Sequence, residues 1–233
     1  MATFVLVHGA WVGSPIWRPI AATLRGAGHE VYTPTLTGIG ERRHLLRPGI
    51  DLATHVQDVR ELITYEDLSD IVLVGHSYAG MVVSGVADAI PGRLASLVYL
   101  DAFVPENGRC LFDLLPPGMP RADPVPGMEW LTAPLPVEAY GKPSVAVVEF
   151  SKRYRCPHPT ACFTQTMSLT GGIDGIPHKT YIYCNDPAPT TFTPFYEKLT
   201  ARPDWIVRTL PCTHLAQLDM PRELTVMLQQ AIP

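Results

Sequence analysis

Residues 72 to 83, VLVGHSYAGMVV, join an apolar run to a helical pattern through one serine, and this join constrains the fold more than any other segment. Ile71 to Val74 has the length and composition of a buried strand, and apolar residues then recur at helical spacing as far as Ile90. A strand that turns at once into a helix forces the residue at the turn into a strained backbone conformation, and small neighbours let its side chain stand clear of the sheet. The segment therefore predicts that Ser77 is a nucleophile.

The pattern along the whole chain predicts an α/β fold, in which a mostly parallel sheet is covered by helices on both faces. Strand-like runs alternate with helical patterns, and the predicted strands are residues 3–7, 30–33, 71–74, 96–100, 180–184 and 205–210. Asp51 is the expected N-cap of one helix, and Pro221 is expected to open the last one. With 233 residues, 46 % of them hydrophobic, the chain suits one large domain over residues 1–233.

The alternation breaks between Val104 and His178, where prolines are concentrated. A long stretch without clear strands, inserted between two strands of one sheet, is expected to be a lid over a site rather than a second domain. We therefore expect residues 104–178 to form a lid, with short helices near 137–140 and 145–154. A disordered insertion is the alternative, but it would leave several large apolar side chains in water.

Composition excludes several classes of partner and cofactor. The net charge is −4 with 17 % charged residues and no long Lys/Arg cluster, so no nucleic-acid partner is expected. The N-terminus shows no leader, and no apolar run approaches the roughly 18 residues that cross a bilayer, so we expect no membrane association and a cytoplasmic protein. The five cysteines lack Cys-x-x-Cys spacing, and no glycine-rich nucleotide motif occurs, so neither a metal nor a cofactor is expected.

A serine hydroxyl needs a positioned base, and the base needs a third group that holds its ring. Of the eight histidines, His214 follows the last strand-like run and precedes the final helix. In an α/β sheet, catalytic groups gather on loops at the carboxyl ends of strands, in the chain order serine, acid, histidine. His214 is therefore the predicted base.

Two aspartates compete for the role of the acid. Asp186 follows the predicted strand 180–184, and Asp101 follows the predicted strand 96–100. Strand 180–184 comes one strand–helix unit before the strand that precedes His214, so the ends of these two strands are equivalent positions. We therefore predict Asp186 as the acid. Asp101 remains the alternative acid. If it is not the acid, it is expected to be a strand-end residue that accepts backbone hydrogen bonds.

Two N–H groups are needed near Ser77 to bind a developing oxyanion. The backbone of Tyr78 is expected to supply one, and that of Ala10, in the glycine-containing loop after the first strand, the other. His8 and His76 are expected to shape the site rather than to act as bases. The side chains proposed as walls of a substrate pocket are Trp17, Tyr78, Phe103, Leu111 and Phe112.

Three motifs carry a resemblance to a known family: Phe4 to Trp11 (FVLVHGAW), Gly75 to Tyr78 (GHSY) and Cys212 to His214 (CTH). With these, the chain resembles the α/β-hydrolase superfamily, in the branch that holds plant methylesterases, hydroxynitrile lyases and small bacterial esterases. The resemblance implies a triad of Ser77, Asp186 and His214. It also implies oxyanion donors at Ala10 and Tyr78. The chain departs from the family at Ala79, where glycine is usual, and at residues 12–17, which shape the entrance.

Within that branch, two positions separate esterases from lyases. The lyases carry a hydroxyl side chain just after the first-strand histidine and a lysine just after the catalytic histidine, whereas this chain has Gly9 and Leu215. The resemblance therefore implies a serine carboxylesterase that cleaves an ester of a small, fairly apolar molecule. The alternatives are a lactone-forming, lactone-opening or cyclising enzyme on the same fold, and a non-catalytic receptor for a small ligand.

Overall fold

Six parallel strands form the central sheet of the computed structural model, which describes residues 1–119 and 121–233 and leaves Pro120, one of the prolines of the predicted lid, outside the described residues. The strands of this sheet are β1 (Thr3–Val7), β2 (Glu30–Tyr32), β3 (Ile71–His76), β4 (Leu94–Leu100), β8 (His178–Cys184) and β9 (Ile206–Leu210). Their order across the sheet is β2-β1-β3-β4-β8-β9, and every neighbouring pair is parallel. Each predicted strand is present, so the predicted α/β class is confirmed.

Helices cover both faces of this sheet. They are α1 (Arg18–Gly26), α2 (Leu52–Tyr65), α3 (Ala79–Ala89), α4 (Val145–Tyr154), α5 (Ala161–Thr164), α6 (Thr193–Thr200), α7 (Ala216–Asp219) and α8 (Pro221–Gln229). Short 3-10 helices lie at Ser14–Trp17, Gly40–Leu45, Pro91–Arg93, Leu111–Leu114, Val137–Tyr140 and Gly172–Gly175.

The core consists of two apolar clusters, one on each face of the sheet. Along β1, Val5 and Val7 belong to the cluster that packs on α2 and α3, whereas Phe4 and Leu6 belong to the cluster that packs on α1 and α8. Successive residues of a strand point to opposite faces, and here both faces are buried. This explains why the strands are continuous apolar runs in the sequence.

The two predicted helix starts are confirmed. Asp51 Oδ1 accepts the N–H of Thr54 at 2.9 Å, and the Thr54 side chain accepts the N–H of Asp51 in return, which completes a capping box at the start of α2. Pro221 occupies the first position of α8, where its missing N–H is not needed.

The segment between β4 and β8 contains short elements rather than a continuation of the sheet. The predicted short helices are present at Val137–Tyr140 and in α4. The sequence patterns did not predict a small antiparallel sheet in this segment, built from β5 (Pro124–Val125), β6 (Met128–Thr132) and β7 (His158–Pro159). The interpretation of residues 104–178 as a lid on a single domain stays a prediction here.

Among the helices that the structure describes, none combines the length and the apolar character that a bilayer-spanning segment needs. The cytoplasmic location expected from the N-terminal sequence stays a prediction.

The capping box at α2 leads to a first testable prediction. Asp51→Ala removes the acceptor for the Thr54 N–H, so the free energy of unfolding is expected to fall by about 1 kcal/mol. Asp51→Asn keeps an oxygen acceptor and serves as the matched control, with most of the stability retained. Urea denaturation followed by circular dichroism measures both, and equal stability of the two variants would contradict the role of the cap.

Candidate active site

Ser77 lies at a sharp turn between β3 and α3, and its backbone φ is +57°. This left-handed conformation is rare for a residue with a side chain and is held here by close packing. A methyl group added at Gly75 would lie 2.7 Å from the carbonyl oxygen of Ala79, so only glycine fits where the strand meets the helix. Ala79 itself is fully buried, and its methyl group is accommodated. The turn predicted from the sequence therefore has the strained geometry expected of a nucleophile elbow.

The loop after β1 approaches Ser77 closely. A Cβ atom at Gly9 would lie 2.9 Å from Ser77 Cβ, so glycine is required for this approach. The next residue, Ala10, lines the same cavity as Ser77. Tyr78 precedes the first residue of α3, where backbone N–H groups have no partner in the helix. The two predicted oxyanion donors thus lie on the loop after β1 and at the start of α3, and both residues line the cavity that Ser77 lines.

His214 follows β9 and is held in place on both its side chain and its backbone. Its Nδ1 lies 2.6 Å from Oδ2 of Asp101, and its carbonyl oxygen accepts a hydrogen bond from Nε2 of His76 at 2.9 Å. Nδ1 therefore carries the proton that Asp101 accepts, which leaves Nε2 as the basic nitrogen. Ser77 and His214 line the same cavity.

The prediction that Asp186 is the acid is wrong in this structure. Asp186 is exposed at the end of β8, and the carboxylate that contacts His214 belongs to Asp101. The strand order explains this result, because β4 lies directly beside β3, so Asp101 and Ser77 emerge from neighbouring strands. The N–H of Cys184, at the end of β8, donates to the other oxygen of Asp101 at 3.1 Å and fixes its orientation.

Burial sets the protonation state of this pair. Burial, followed by the nearby charge of Arg155, lowers the pKa of His214 to about 3, so the ring is neutral at rest and ready to accept a proton. Burial also raises the pKa of Asp101, and the hydrogen bond from Cys184 opposes that rise. Since both groups are buried, a charge created on His214 by proton uptake has Asp101 as its immediate partner.

A largely apolar cavity of about 280 Å³ opens beside Ser77 and His214. Its wall includes four of the five predicted pocket residues, namely Tyr78, Phe103, Leu111 and Phe112. The prediction for Trp17 is wrong, because this side chain is fully buried in the apolar cluster on the other face of the sheet. The remaining wall residues that sequence reasoning did not identify are Trp11, Leu115, Met119, Ala122, Leu135, Ala139, Tyr140, Phe163, Thr191 and Phe192.

Two aromatic rings stack on the imidazole of His214. The centroid of Phe192 lies 4.9 Å from it with an interplanar angle of 7°, and that of Tyr140 lies 4.7 Å from it at 25°. These rings limit the rotation of the imidazole and exclude water from it. Their aromatic character was the only signal in the sequence, since their distance along the chain from His214 gives no indication of contact.

The remaining buried histidines form hydrogen bonds that shape the site. His8 accepts the N–H of Leu36 at Nε2, 3.0 Å away, which leaves Nδ1 to donate to the carbonyl of Gly9. His8 therefore holds the loop after β1, as expected. His55 donates from Nε2 to the carbonyl of Thr37 and lies 2.9 Å from the hydroxyl of Tyr78 at Nδ1, so it accepts from that hydroxyl.

One group of side chains has the composition of a metal site. The ligand atoms of His55, His158 and Cys162 lie within 4.8 Å of one another, and all three residues are buried. The lone pair of His55 Nδ1 already accepts from Tyr78, and Nδ1 of His158 accepts the N–H of Trp11 at 3.4 Å. These hydrogen bonds account for the cluster as an anchor for Tyr78 and Trp11, two residues that line the cavity.

Comparisons with known proteins agree with this architecture. A model of the alpha/beta hydrolase family matches residues 4–226. The chain is 42 % identical to a carbendazim hydrolyzing esterase from Nocardioides sp. (strain SG-4G), over 98 % of each chain. It is 25 % identical to polyneuridine aldehyde esterase from Rauvolfia serpentina, over 95 % of this chain and 92 % of that protein. An extracellular alpha/beta-hydrolase from a Paenibacillus species has the same fold, with a TM-score of 0.82, 23 % identity and 99 % of each chain covered.

Burial of so many neutral histidines predicts acid sensitivity. Burial lowers the pKa of His8 to about 4 and that of His214 to about 3, and it also lowers the pKa values of His55, His76 and His158. Below pH 6.5, the unfolded chain therefore binds more protons than the native one, and stability falls as the pH falls. Each such histidine costs about 1.4 kcal/mol of unfolding free energy per pH unit until its native pKa is reached.

Urea denaturation at pH 7.5, 6.5 and 5.5 measures this dependence. A steep loss of stability is expected between pH 6.5 and 5.5, and a flat profile over that interval would be inconsistent with buried neutral histidines. His44→Gln, at an exposed position, is the matched control and is expected to keep the steep profile.

Proposed function

Because this chain belongs to the alpha/beta hydrolase family, we propose that it is a serine carboxylesterase in which Ser77 is the nucleophile, His214 the base and Asp101 the acid. The observation that carries the proposal is the buried pair of His214 and Asp101, 2.6 Å apart, on the cavity that Ser77 lines from a strained turn. The names of the relatives support the same reaction class, since the two curated relatives described above are both esterases.

In the proposed reaction, Ser77 Oγ attacks the carbonyl carbon of the ester, and its proton passes to Nε2 of His214. Asp101 stabilises the imidazolium that results. The backbone N–H groups of Ala10 and Tyr78 donate to the oxyanion. His214 then protonates the leaving alcohol, and water releases the acid from the acyl-enzyme.

The shape of the cavity supports an apolar substrate. A volume of about 280 Å³ is at the small end of ligand pockets, and aromatic residues from several elements line it, among them Trp11, Phe112 and Phe163. A small, apolar acyl group therefore fits it best. Carbendazim, the compound in the name of the relative from Nocardioides, belongs in the first panel of substrates.

Residues 104–178 are proposed to act as a lid on this single domain. Of the cavity wall, Leu111, Phe112, Tyr140 and Phe163 come from this segment. A lid of this kind excludes water from the buried base and the reacting ester, which strengthens the electrostatic interactions between them.

Ser77→Ala tests the nucleophile. The wild type is expected to hydrolyse p-nitrophenyl and methyl esters of aryl acids, and the variant is expected to lose at least about 10⁴-fold in kcat while keeping its folded state. Stopped spectrophotometric assays measure kcat, and circular dichroism checks the fold. Near-normal turnover by Ser77→Ala would show that another group attacks the ester.

Water labelled with ¹⁸O separates hydrolysis from the two alternatives on the same fold that do not consume water, lactone formation and cyclisation. Hydrolysis must place the label in the acid product during the first turnover, whereas lactone formation or cyclisation leaves the product unlabelled. A non-catalytic receptor would bind aryl esters without turning them over, so label-free product or absent product would each contradict the proposal.

Asp101→Asn and Asp186→Asn form a matched pair for the acid. Asp101→Asn removes the carboxylate that orients His214, and kcat is expected to fall by about 10³- to 10⁴-fold. Asp186 is exposed, and the carboxylate that contacts the ring is that of Asp101, so the Asp186 variant is expected to stay within about twofold of the wild type. Steady-state kinetics at pH 8 measure both, and a larger loss at Asp186 would reverse the assignment.

A further inference from the structure

A second, much smaller cavity adjoins Ser77. Its volume is about 20 Å³, and Ser77 and His214 line it together with Ala10 and Tyr140, all four of which also line the apolar cavity. The reacting groups therefore stand between two spaces of different size.

Polar atoms without partners distinguish the small cavity from the large one. Within the described residues, Nδ1 of His76 and Oγ of Ser151 are buried and have no hydrogen-bond partner, and both residues line the small cavity. An unsatisfied buried polar atom costs stability, so such atoms are uncommon unless a bound molecule pairs with them. The side chain of Arg155 also lines the cavity, and it is the single permanently charged group among the lining residues that the structure describes.

The tautomer of His76 defines what this cavity accepts. Since Nε2 of His76 points to the carbonyl oxygen of His214, Nε2 carries the proton and Nδ1 has a free lone pair. A methyl group added at Gly9 would lie 2.9 Å from this nitrogen and also 2.9 Å from Ser77 Cβ. The unpaired acceptor therefore lies beside the nucleophile.

Only one common molecule satisfies these groups at this size. A cavity needs roughly 10–15 Å³ to hold one water and two to four polar partners to retain it. A water held there can donate to Nδ1 of His76, exchange a hydrogen bond with the hydroxyl of Ser151 and accept from the guanidinium of Arg155. An apolar group would leave these polar atoms unpaired.

We propose that His76, Ser151 and Arg155 form a binding site for the water that hydrolyses the acyl-enzyme. This inference rests on the proposed function and adds to it the group that supplies the second nucleophile. When the acyl group occupies the apolar cavity, the small polar cavity is the space beside Ser77 in which water has hydrogen-bond partners.

The step balances with this water alone. Its oxygen forms a bond to the acyl carbon while one of its protons passes to Nε2 of His214. The tetrahedral intermediate then breaks the bond to Ser77 Oγ, which takes the proton from His214. The products are the free acid and the regenerated serine, and no further reactant is required.

Ser151→Ala and Arg155→Met test the site because each removes one partner of the water and leaves Ser77, His214 and Asp101 in place. Stopped-flow measurement with p-nitrophenyl esters separates acylation, seen as a burst, from deacylation, seen as the steady rate. Deacylation is expected to slow about 5- to 10-fold in Ser151→Ala and about 10- to 100-fold in Arg155→Met. In Ser151→Ala, acylation and kcat/KM are expected to stay within about twofold, so KM falls together with kcat. Arg155→Met also removes a charge that lowers the pKa of His214, so its deacylation rate is compared with its own acylation rate, and deacylation is expected to be the slower of the two by more than in the wild type.

Mass spectrometry of the quenched reaction gives an independent readout. The acyl adduct on the peptide that contains Ser77 is expected to accumulate in both variants to a higher steady level than in the wild type. Arg153→Met, two residues earlier in the last turn of α4 and absent from the lining of the small cavity, is the matched control and is expected to behave as the wild type. Arg155→Lys keeps the charge and is expected to recover part of the deacylation rate.

Each failure has its own signature. If the wild type forms no burst and no adduct on Ser77, the proposed function itself is wrong. If the adduct forms normally but both variants deacylate within about twofold of the wild type, the water site is wrong and the esterase stands. A fall in acylation equal to that in deacylation assigns these residues a purely structural role and also overturns the inference.

Discussion

The hydrogen bond between Nδ1 of His214 and Asp101 depends on the order of the strands, and most of the candidate site depends on that bond. Parallel strands bring their carboxyl ends to one edge of the sheet, so the residues that follow β1, β3, β4 and β9 meet there although they are far apart in sequence. Because β4 lies beside β3, Asp101 leaves the sheet next to Ser77, and His214 reaches across from the far strand. The bond fixes one tautomer of the imidazole and thereby decides which nitrogen is the base.

Close backbone approach around Ser77 makes this arrangement rigid. A Cβ atom at Gly80 would lie 2.0 Å from the carbonyl oxygen of Phe103, so the start of α3 lies directly against the segment that leaves β4. The N–H of Phe103 in turn donates to the carbonyl of Ser77 at 3.2 Å. Asp101 belongs to the same segment that leaves β4, and its φ is +41°. Ser77 and Asp101 are therefore both held in strained backbone conformations where this segment packs on the start of α3.

Local patterns in the sequence were sufficient to predict the strands, the turn at Ser77 and the helix cap at Asp51. Each of these depends on residues within a few positions of one another, and apolar periodicity or turn chemistry reports on them directly. The position of His214 at the carboxyl end of the last strand was also predictable, because it follows the last strand of an alternating pattern. These features come from the part of the fold in which sequence neighbours are also spatial neighbours.

The choice between Asp101 and Asp186 required information that local patterns do not contain. Both residues end predicted strands, and only the order of those strands across the sheet, together with the path of the loop before His214, decides which carboxylate meets the ring. The prediction that Trp17 lines the pocket was wrong for a similar reason, because an aromatic residue near a loop of the site can pack on either face of the sheet. The two-residue strands β5 and β7 are too short to produce any periodicity.

Burial of the base has two opposed consequences. Stacking on Phe192 and Tyr140 removes His214 from water and lowers its pKa, so the ring stays neutral and able to accept a proton, but each buried neutral histidine also reduces stability in acid. The same burial makes the partner of the imidazolium matter more, because charges interact more strongly where water is excluded. Asp101 therefore has to be within hydrogen-bond distance, since an imidazolium in this aromatic enclosure without a carboxylate would be too costly to form. The exposed Asp186 cannot substitute for it, because a carboxylate in water has most of its field screened before it reaches the ring.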